Sequence, residues 1–468
     1  MFQTLKNAWK TPELRSKLLF TLLIVILFRL GSAIPVPFVS GTLSDSFMQG
    51  TAYALQLVAG ESFAQATLFA LSVSPYITSS IIMQLLTIAI PALERMAKEG
   101  EEGKKKISTI TRMVTVALAL ITAIGYTNLL DMSGLLNFGE VNKTFAKIIM
   151  IACYCAGASL VMWLAEKINE FGIGNGISII LFVNIIGGLL PKTFVSLYNM
   201  IVSSVNNIQV GGEGGVFYLV SSIIWALFIL ALMVGLIWLI VWFTDSERRI
   251  PVQYAKKVVG RKMYGGQSSN LPLKLNMAGV MPVIFANSIV SIPGTLATIW
   301  PNTPWISNLA NNYLNYTKPL YVLLSVILLF AFAYFYIMIS FNPVEVANNI
   351  RNNGGAVPGI RPGKPTRDYI QKILNRITFI GAVFLCIVSE VPKILVSVFE
   401  TIRDVASIQE SVGKVTESVI NFYAFGANSF LTVAFAGTSI LIVVGVILET
   451  VRELEAQLTM RNYKGFLD

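Results

Sequence analysis

The sequence predicts an all-α polytopic membrane protein with ten transmembrane helices, and three observations carry that prediction. Hydrophobic residues make up 54% of the chain and charged residues only 13%, a composition outside the range of water-soluble folds. Ten long apolar runs divide the chain, at 18–37, 63–90, 113–130, 145–165, 177–197, 216–243, 276–299, 319–341, 377–399 and 430–448. Basic residues gather in alternate connections. Both termini and the segments 91–112, 166–176, 244–275 and 342–376 hold 27 of the 35 Lys and Arg and 15 of the 25 acids, a net of +12, against −2 elsewhere. Basic loops stay on the cytoplasmic side during insertion, so both termini are expected there and the number of crossings is expected to be even.

The first run contains Arg29, Gly31, Pro35 and Pro37 and is followed by no small-residue cleavage motif, so it reads as a retained span. The second run is broken. Phe63 to Leu71 is apolar but short, Ser72, Val73, Ser74 and Pro75 interrupt it, and Ile77 to Ile90 resumes with Thr78, Ser79, Ser80, Gln84 and Thr87 among its aliphatic residues. A hydrocarbon core of ~30 Å requires about 20 helical residues, so neither half spans unaided. Non-helical backbone at that depth survives only against protein or a water-filled cavity. The break therefore reads either as a proline kink or as part of a transport path.

The other eight runs are uninterrupted by charge, with few exceptions. Arg29 lies in the outer part of the first span and Glu390 lies three residues before Lys393 near the outer end of the ninth; each is expected to snorkel or to pair with a neighbour. The remaining polar residues in spans are uncharged, among them Thr115, Thr122, Ser178, Asn184, Asn287, Ser288, Ser291, Thr438 and Ser439. Their ordinary role is interhelical hydrogen bonding. Ion-coupled transport would require more intramembrane charge than this.

Two connections are long and basic. The segment DSERRIPVQYAKKVVGRKMYGG carries Arg248, Arg249, Lys256, Lys257, Arg261 and Lys262, with IPVQYA reading as an extended arm and GG as a turn. The segment IRNNGGAVPGIRPGKPTRDY carries Arg351, Arg361, Lys364 and Arg367 on a backbone stiffened by Pro358, Pro362 and Pro365 and turned by glycines. A preset backbone loses less entropy on binding, so Arg361 reads as a recognition element. RNA phosphate and anionic lipid are both suitable partners for such arms. Insertion bias alone explains their charge but not their Pro/Gly pattern.

Several function classes are excluded. The chain has no histidine, and its three cysteines, Cys153, Cys155 and Cys386, lie in apolar runs. No GxxxxGK[ST] phosphate loop is present. No catalytic residue, metal site or cofactor is expected.

At this point the sequence resembles the SecY family, the central subunits of protein-conducting translocation channels. The resemblance is carried by RLGSAIPVP at 29–37, LFALSVSPYITSSIIMQLL at 68–86, PALERMAKEGEEGKKKISTITR at 91–112 and WLAEKINEFGIGNGISIILF at 163–182. It continues through 247–288, NPVEVANNIRNNGGAVPGIRPGKPT at 342–366 and AGTSILIVVGVILETVRELEAQL at 436–458. Chance similarity between apolar segments does not reproduce these polar loops.

The resemblance implies ten helices in two inverted-repeat halves, 1–200 and 201–468, around an hourglass pore. It implies a plug over 60–71, including Gly60, Phe63, Ala64, Leu68, Phe69 and Leu71, hinged at Ser72 to Pro75, where the family usually has glycine at the position of Ser72. The implied pore ring is Ile77, Ile81, Ile177, Leu181, Ile284 and Ile442. A lateral gate is implied between the helix starting near Pro75 and that from Asn276, with Ser80, Thr122, Asn287 and Ser288 as polar seam residues. Arg248, Arg249, Lys256, Lys257, Arg261, Arg361 and Lys364 are similar to the docking site for the ribosome and the SecA ATPase. The implied partners also include SecE, SecG, secretory and nascent membrane polypeptides, and lipid, in a bacterial cytoplasmic membrane.

One region departs from the family pattern. The connection from Pro392 to Thr432 is long, and KILVSVFETIRDVASIQESVGKVTESVINFY spaces its apolar residues helically among charges, so an amphipathic helix on the outer surface is expected. The competing reading of the whole chain is a small-solute secondary transporter, which would also use broken helices.

Overall fold

The computed structural model describes residues 2–43, 60–209, 215–254, 257–259, 262–264, 268–300, 303–309, 313–314, 318–411 and 437–459. A short helix α1 (Phe2–Lys10) leads into α2 (Pro12–Ala33), whose Pro12 opens the first turn where no amide donor is needed. Further on, a one-turn helix α3 (Glu61–Ala64) and a run of turns lead to α4 (Ser74–Ala89), which bends by 100° into α5 (Pro91–Lys98). The bend has a local cause: Ile90 is extended (φ −108°, ψ 113°), as the proline after it requires.

Four long helices follow: α6 (Glu101–Met132), α7 (Lys143–Phe171), α8 (Gly176–Gln209) and α9 (Gly215–Asp245). Strands β1 (Glu247–Tyr254), β2 (Lys257–Val259), β3 (Lys262–Tyr264) and β4 (Ser268–Lys274) occupy the first basic connection. Then come α10 (Met281–Val290), α11 (Ile292–Ile299), α12 (Pro304–Asn308), α13 (Pro319–Ser340), α14 (Pro343–Asn352), β5 (Gly355–Ala356) and α15 (Lys364–Ser411). A last helix, α16, covers 437–459.

Among the described residues, six helical stretches are long and apolar enough to cross a membrane alone: α2, α6, α7, 219–245, 319–352 and 364–394. The other four apolar runs of the sequence fall on helices that do not meet that test over their described residues. These are α4, the 176–188 part of α8, the α10–α11 pair broken at Ser291 ahead of Pro293, and α16. Short and broken helices such as α4 and the α10–α11 pair are tolerated at membrane depth only where neighbours satisfy the freed backbone, so these are expected to pack against other helices.

The packing bears this out. Helix α6 lies against α4 and α7, α2 against α7 and α8, and α10 against α4 and α13, while α11 lies against α6. One large apolar cluster runs from Ile24 and Phe28 on α2 through α4, α8, α9, α10 and α13 to Val446 and Leu448 on α16. A second surrounds Tyr126 and Tyr154, and a small one joins Ala8, Leu14, Ile173 and Leu454, bringing the two ends of the chain together.

The basic connections depart from a purely helical reading. Strands β4, β1 and β5 form an antiparallel sheet, with Arg248 opposite Leu273 and Gln253 opposite Ala356, and β2 pairs with β3. Of the extended arm expected at IPVQYA, Ile250 to Tyr254 form the second half of β1, and Ala255 lies outside the described residues. The side chains of β1 alternate as a half-buried strand requires: Ile250 and Val252 point into a small core with Leu273, Ile350, Val357, Ile370 and Leu374, while Pro251 and Gln253 face out.

Three charged side chains within spans each have a partner. Arg29 Nη2 donates to the Val183 carbonyl at 2.6 Å, in space left by Gly187, where a β-carbon would lie 1.3 Å from that nitrogen. Glu390 Oε1 accepts from Lys393 Nζ and from Ser389 Oγ, both at 2.9 Å, and the two charged side chains are only 3% and 1% exposed. The amphipathic helix expected in the 392–432 connection is described only in part. Residues 393–411 continue α15 through Pro392, and 412–431 lie outside the described residues.

Candidate pore, plug and seam

The segment from Gly60 to Leu71 folds back on the end of α2 and the residues after it. Its backbone is tied there by three bonds: Leu43 N to Ala64 O at 2.9 Å, Val36 N to Ala66 O at 3.4 Å, and Leu68 N to Ile34 O at 2.9 Å. Phe63, Ala64 and Leu71 are buried in the cluster around Tyr126 and Tyr154. Phe69 stacks on Phe28, with ring centroids 5.6 Å apart, over Gly31. Leu68 presents its carbonyl to Gly157 of α7, where a β-carbon would approach within 2.0 Å. These contacts need small residues at both glycines.

Polar side chains reach the same segment from three helices. The Tyr126 hydroxyl donates to the Phe63 carbonyl, and the Tyr154 hydroxyl donates to the Ala66 carbonyl at 3.4 Å. Asn184 Nδ2 donates to Ser72 Oγ at 3.3 Å. All three side chains are buried, as is Ser72. Ser72 adopts φ +48°, the left-handed region that a side chain enters at a cost of roughly 1–2 kcal/mol. The hinge therefore has the backbone of a glycine and the side chain of a serine.

The six ring candidates come from four helices. Ile77 and Ile81 lie one turn apart on α4, Ile177 and Leu181 one turn apart on α8, Ile284 on α10 and Ile442 on α16. Ile77, Ile81, Leu181 and Ile284 are buried in the large apolar cluster, and Ile177 and Ile442 pack against it. Phe69 is part of the same cluster and Leu68 packs against it, so the folded-back segment and these residues share one apolar body.

The seam candidates lie on α4 (Ser80), α6 (Thr122) and α10 (Asn287 and Ser288), helices that meet where α10 packs on α4 and α11 on α6. Their hydroxyls bond inside their own helices. Ser288 Oγ donates to the Ile284 carbonyl at 2.8 Å, Thr122 Oγ1 donates to the Leu118 carbonyl at 2.9 Å, and Ser80 Oγ accepts from Gln84 at 3.5 Å. The bond that does link α4 to α6 comes from Ser79, whose hydroxyl donates to the Thr111 carbonyl at 2.7 Å.

The family description for SecY matches residues 67–451. Over the whole of both chains, this protein is 40% identical to the protein translocase subunit SecY of Streptomyces galbus. The chain belongs to the SecY family. It is also 37% identical to protein translocase subunit SecY of Thermus thermophilus, covering 100% of this chain and 98% of that one. Its fold is shared with a solved protein-conducting channel (TM-score 0.61, 15% identity, 94% of this chain and 92% of that one). It is shared as well with Sec61 in the canine ribosome-channel complex (TM-score 0.57, 15% identity, 94% and 92%).

In this SecY-family chain the docking candidates fall on one sheet and its flank. Arg248 and Arg249 are exposed on β1, and Arg249 Nε donates to Glu247 at 2.6 Å. Arg361 is exposed in the turn between β5 and α15, where its carbonyl accepts from Thr366 Oγ1 at 2.9 Å, and exposed Lys364 begins α15. Lys257 begins β2, whereas Lys256 and Arg261 lie outside the described residues. Pairing of β1 with β5 brings the two basic connections into one body, which no local sequence pattern signalled. Tyr126 and Tyr154 were also missed. A tyrosine inside an apolar run needs a hydroxyl partner when buried, and that requirement is the signal that could have found them.

Proposed function

We propose that this chain is a protein-conducting channel that passes unfolded secretory polypeptides across the cytoplasmic membrane and releases membrane segments laterally into lipid. The observation that carries this reading is that Phe69 and Leu68 of a short folded-back segment share one large apolar cluster with branched aliphatic side chains drawn from four helices. A narrow apolar constriction resists ions because water leaves it, yet aliphatic side chains yield around a moving chain. The 60–71 segment acts as a plug above that ring, hinged at Ser72. Relatives named as translocase subunits along their whole length support the same reading.

The two halves, 1–200 and 201–468, meet along the α4–α10 and α6–α11 contacts, and this seam is the lateral gate, with Ser80, Thr122, Asn287 and Ser288 beside it. Both termini and the basic connections face the cytoplasm, where Arg248, Arg249, Lys257, Arg361 and Lys364 receive the ribosome or the SecA motor. SecE and SecG complete the channel. Energy for transport comes from the partner, since the chain brings no phosphate loop and no catalytic group of its own. Solute coupling finds no support, since Glu390 pairs with Lys393 and Arg29 is held on a backbone carbonyl.

Reconstitution with SecE and SecA, followed by protease protection of a secretory preprotein, tests the reading. ATP-dependent protection is expected. Passage of a small solute with no SecA-driven protection would remove it.

A further inference from the structure

We infer that Tyr126, Tyr154 and Asn184 form an uncharged clasp that holds the plug closed, and that Tyr126 ties plug release to movement of the seam. The inference rests on reading 60–71 as the plug and adds what retains it. The three side chains come from three neighbouring helices, α6, α7 and α8, and reach the segment at its start, its middle and its hinge. Two of them bind backbone carbonyls, of Phe63 and Ala66, so they retain the segment whatever its own side chains are.

Asn184 serves both ends. Its amide donates to Ser72 Oγ, and Gly60, at φ +75°, lies so close that a β-carbon there would come within 2.4 Å of the same amide group. Ala66 and Ser72 both hold left-handed backbone without being glycine. Such residues persist only when their surroundings over-determine them. The clasp bonds fall on these two residues or within three positions of them.

Tyr126 is also one helical turn from a seam candidate. It lies one turn beyond Thr122 on α6, the helix that packs against α11 across the two halves. Residues four apart share a helix face, so a displacement of α6 at the seam also withdraws the Tyr126 hydroxyl from Phe63. The ring of Tyr126 contacts Phe63 at 4.6 Å and Tyr154 at 5.0 Å, which makes the two tyrosines a continuous wall under the plug. Seam opening and plug release then form one event rather than two.

Resting ion conductance of the full-length chain, reconstituted with SecE in planar bilayers in potassium chloride, reads the clasp directly. Tyr126→Phe removes the hydroxyl and keeps the aromatic wall; loss of that buried bond is expected to raise resting openings about ten-fold, the equivalent of ~1.4 kcal/mol. Ser72→Ala, which removes the acceptor of Asn184, is expected to raise them less. Neither change should add to the conductance of a chain lacking residues 61–70. The inference is overturned if both variants stay as silent as the unaltered chain while Ile77→Gly with Ile442→Gly conducts. If the ring variant is silent too, Ile77 and Ile442 leave the seal, and the chain lacking residues 61–70 becomes the control: conduction by it beside silent clasp variants also overturns the inference.

Discussion

Ile77 and Ile442 lie on helices from opposite ends of the chain, yet Ile442 packs against the apolar cluster that contains Ile77. Removing both side chains opens the ring at two points without touching the plug contacts of Tyr126 or Asn184. Ile77→Gly with Ile442→Gly is expected to raise resting conductance at least several-fold, measured in reconstituted bilayers, and unchanged conductance would remove these positions from the seal. The pairing of Ile77 with Ile81 and of Ile177 with Leu181 was legible from spacing alone. Convergence of four helices was not, because nothing local in an isoleucine distinguishes a pore-facing from a lipid-facing position. Ser72 was legible as a departure from glycine, but its cost is visible only in the φ of +48°. Tyr126 and Tyr154 were hidden by their apolar surroundings.

At the scale of elements, proline and charge were readable and partnership was not. The break at Ser72 to Pro75 and the end of α4 at Ile90 follow from Pro75 and Pro91, and β1 follows from an alternating IPVQY. Union of β1 with β5 joins residues about a hundred positions apart and has no local signature. The same holds for the far end of α15, where helical spacing was read correctly but its continuity with the preceding span was not. Within that helix the Glu390–Lys393 pair gives a test of energetics. Breaking a buried pair leaves one charge uncompensated, so Lys393→Met is expected to destabilise the protein by about 3–5 kcal/mol, whereas Glu390→Leu with Lys393→Met is expected to be near neutral. Thermal unfolding of detergent-solubilised protein measures both. Equal losses in the single and double variants would show that the pair is not what stabilises this region.

Across the whole molecule, the separation of charge from apolar mass defines what the chain can do. Charges gather at its basic connections and termini, a large apolar cluster fills the interior, Glu390 pairs with Lys393, and Arg29 is held on a backbone carbonyl. Such a body has nothing to drive a solute and much to exclude ions, which suits a passive conduit opened by a partner. The central claim is that a polypeptide moves through the ring formed by Ile77, Ile81, Ile177, Leu181, Ile284 and Ile442. Disulfide crosslinking of a stalled preprotein carrying one cysteine tests it most directly, using single cysteines at the six positions in a chain whose Cys153, Cys155 and Cys386 are replaced by serine. Crosslinks are predicted at the ring and not at Leu120, Leu160 or Leu227, which face outward at 47%, 47% and 62% exposure. Crosslinks at those outer positions with none at the ring would contradict it.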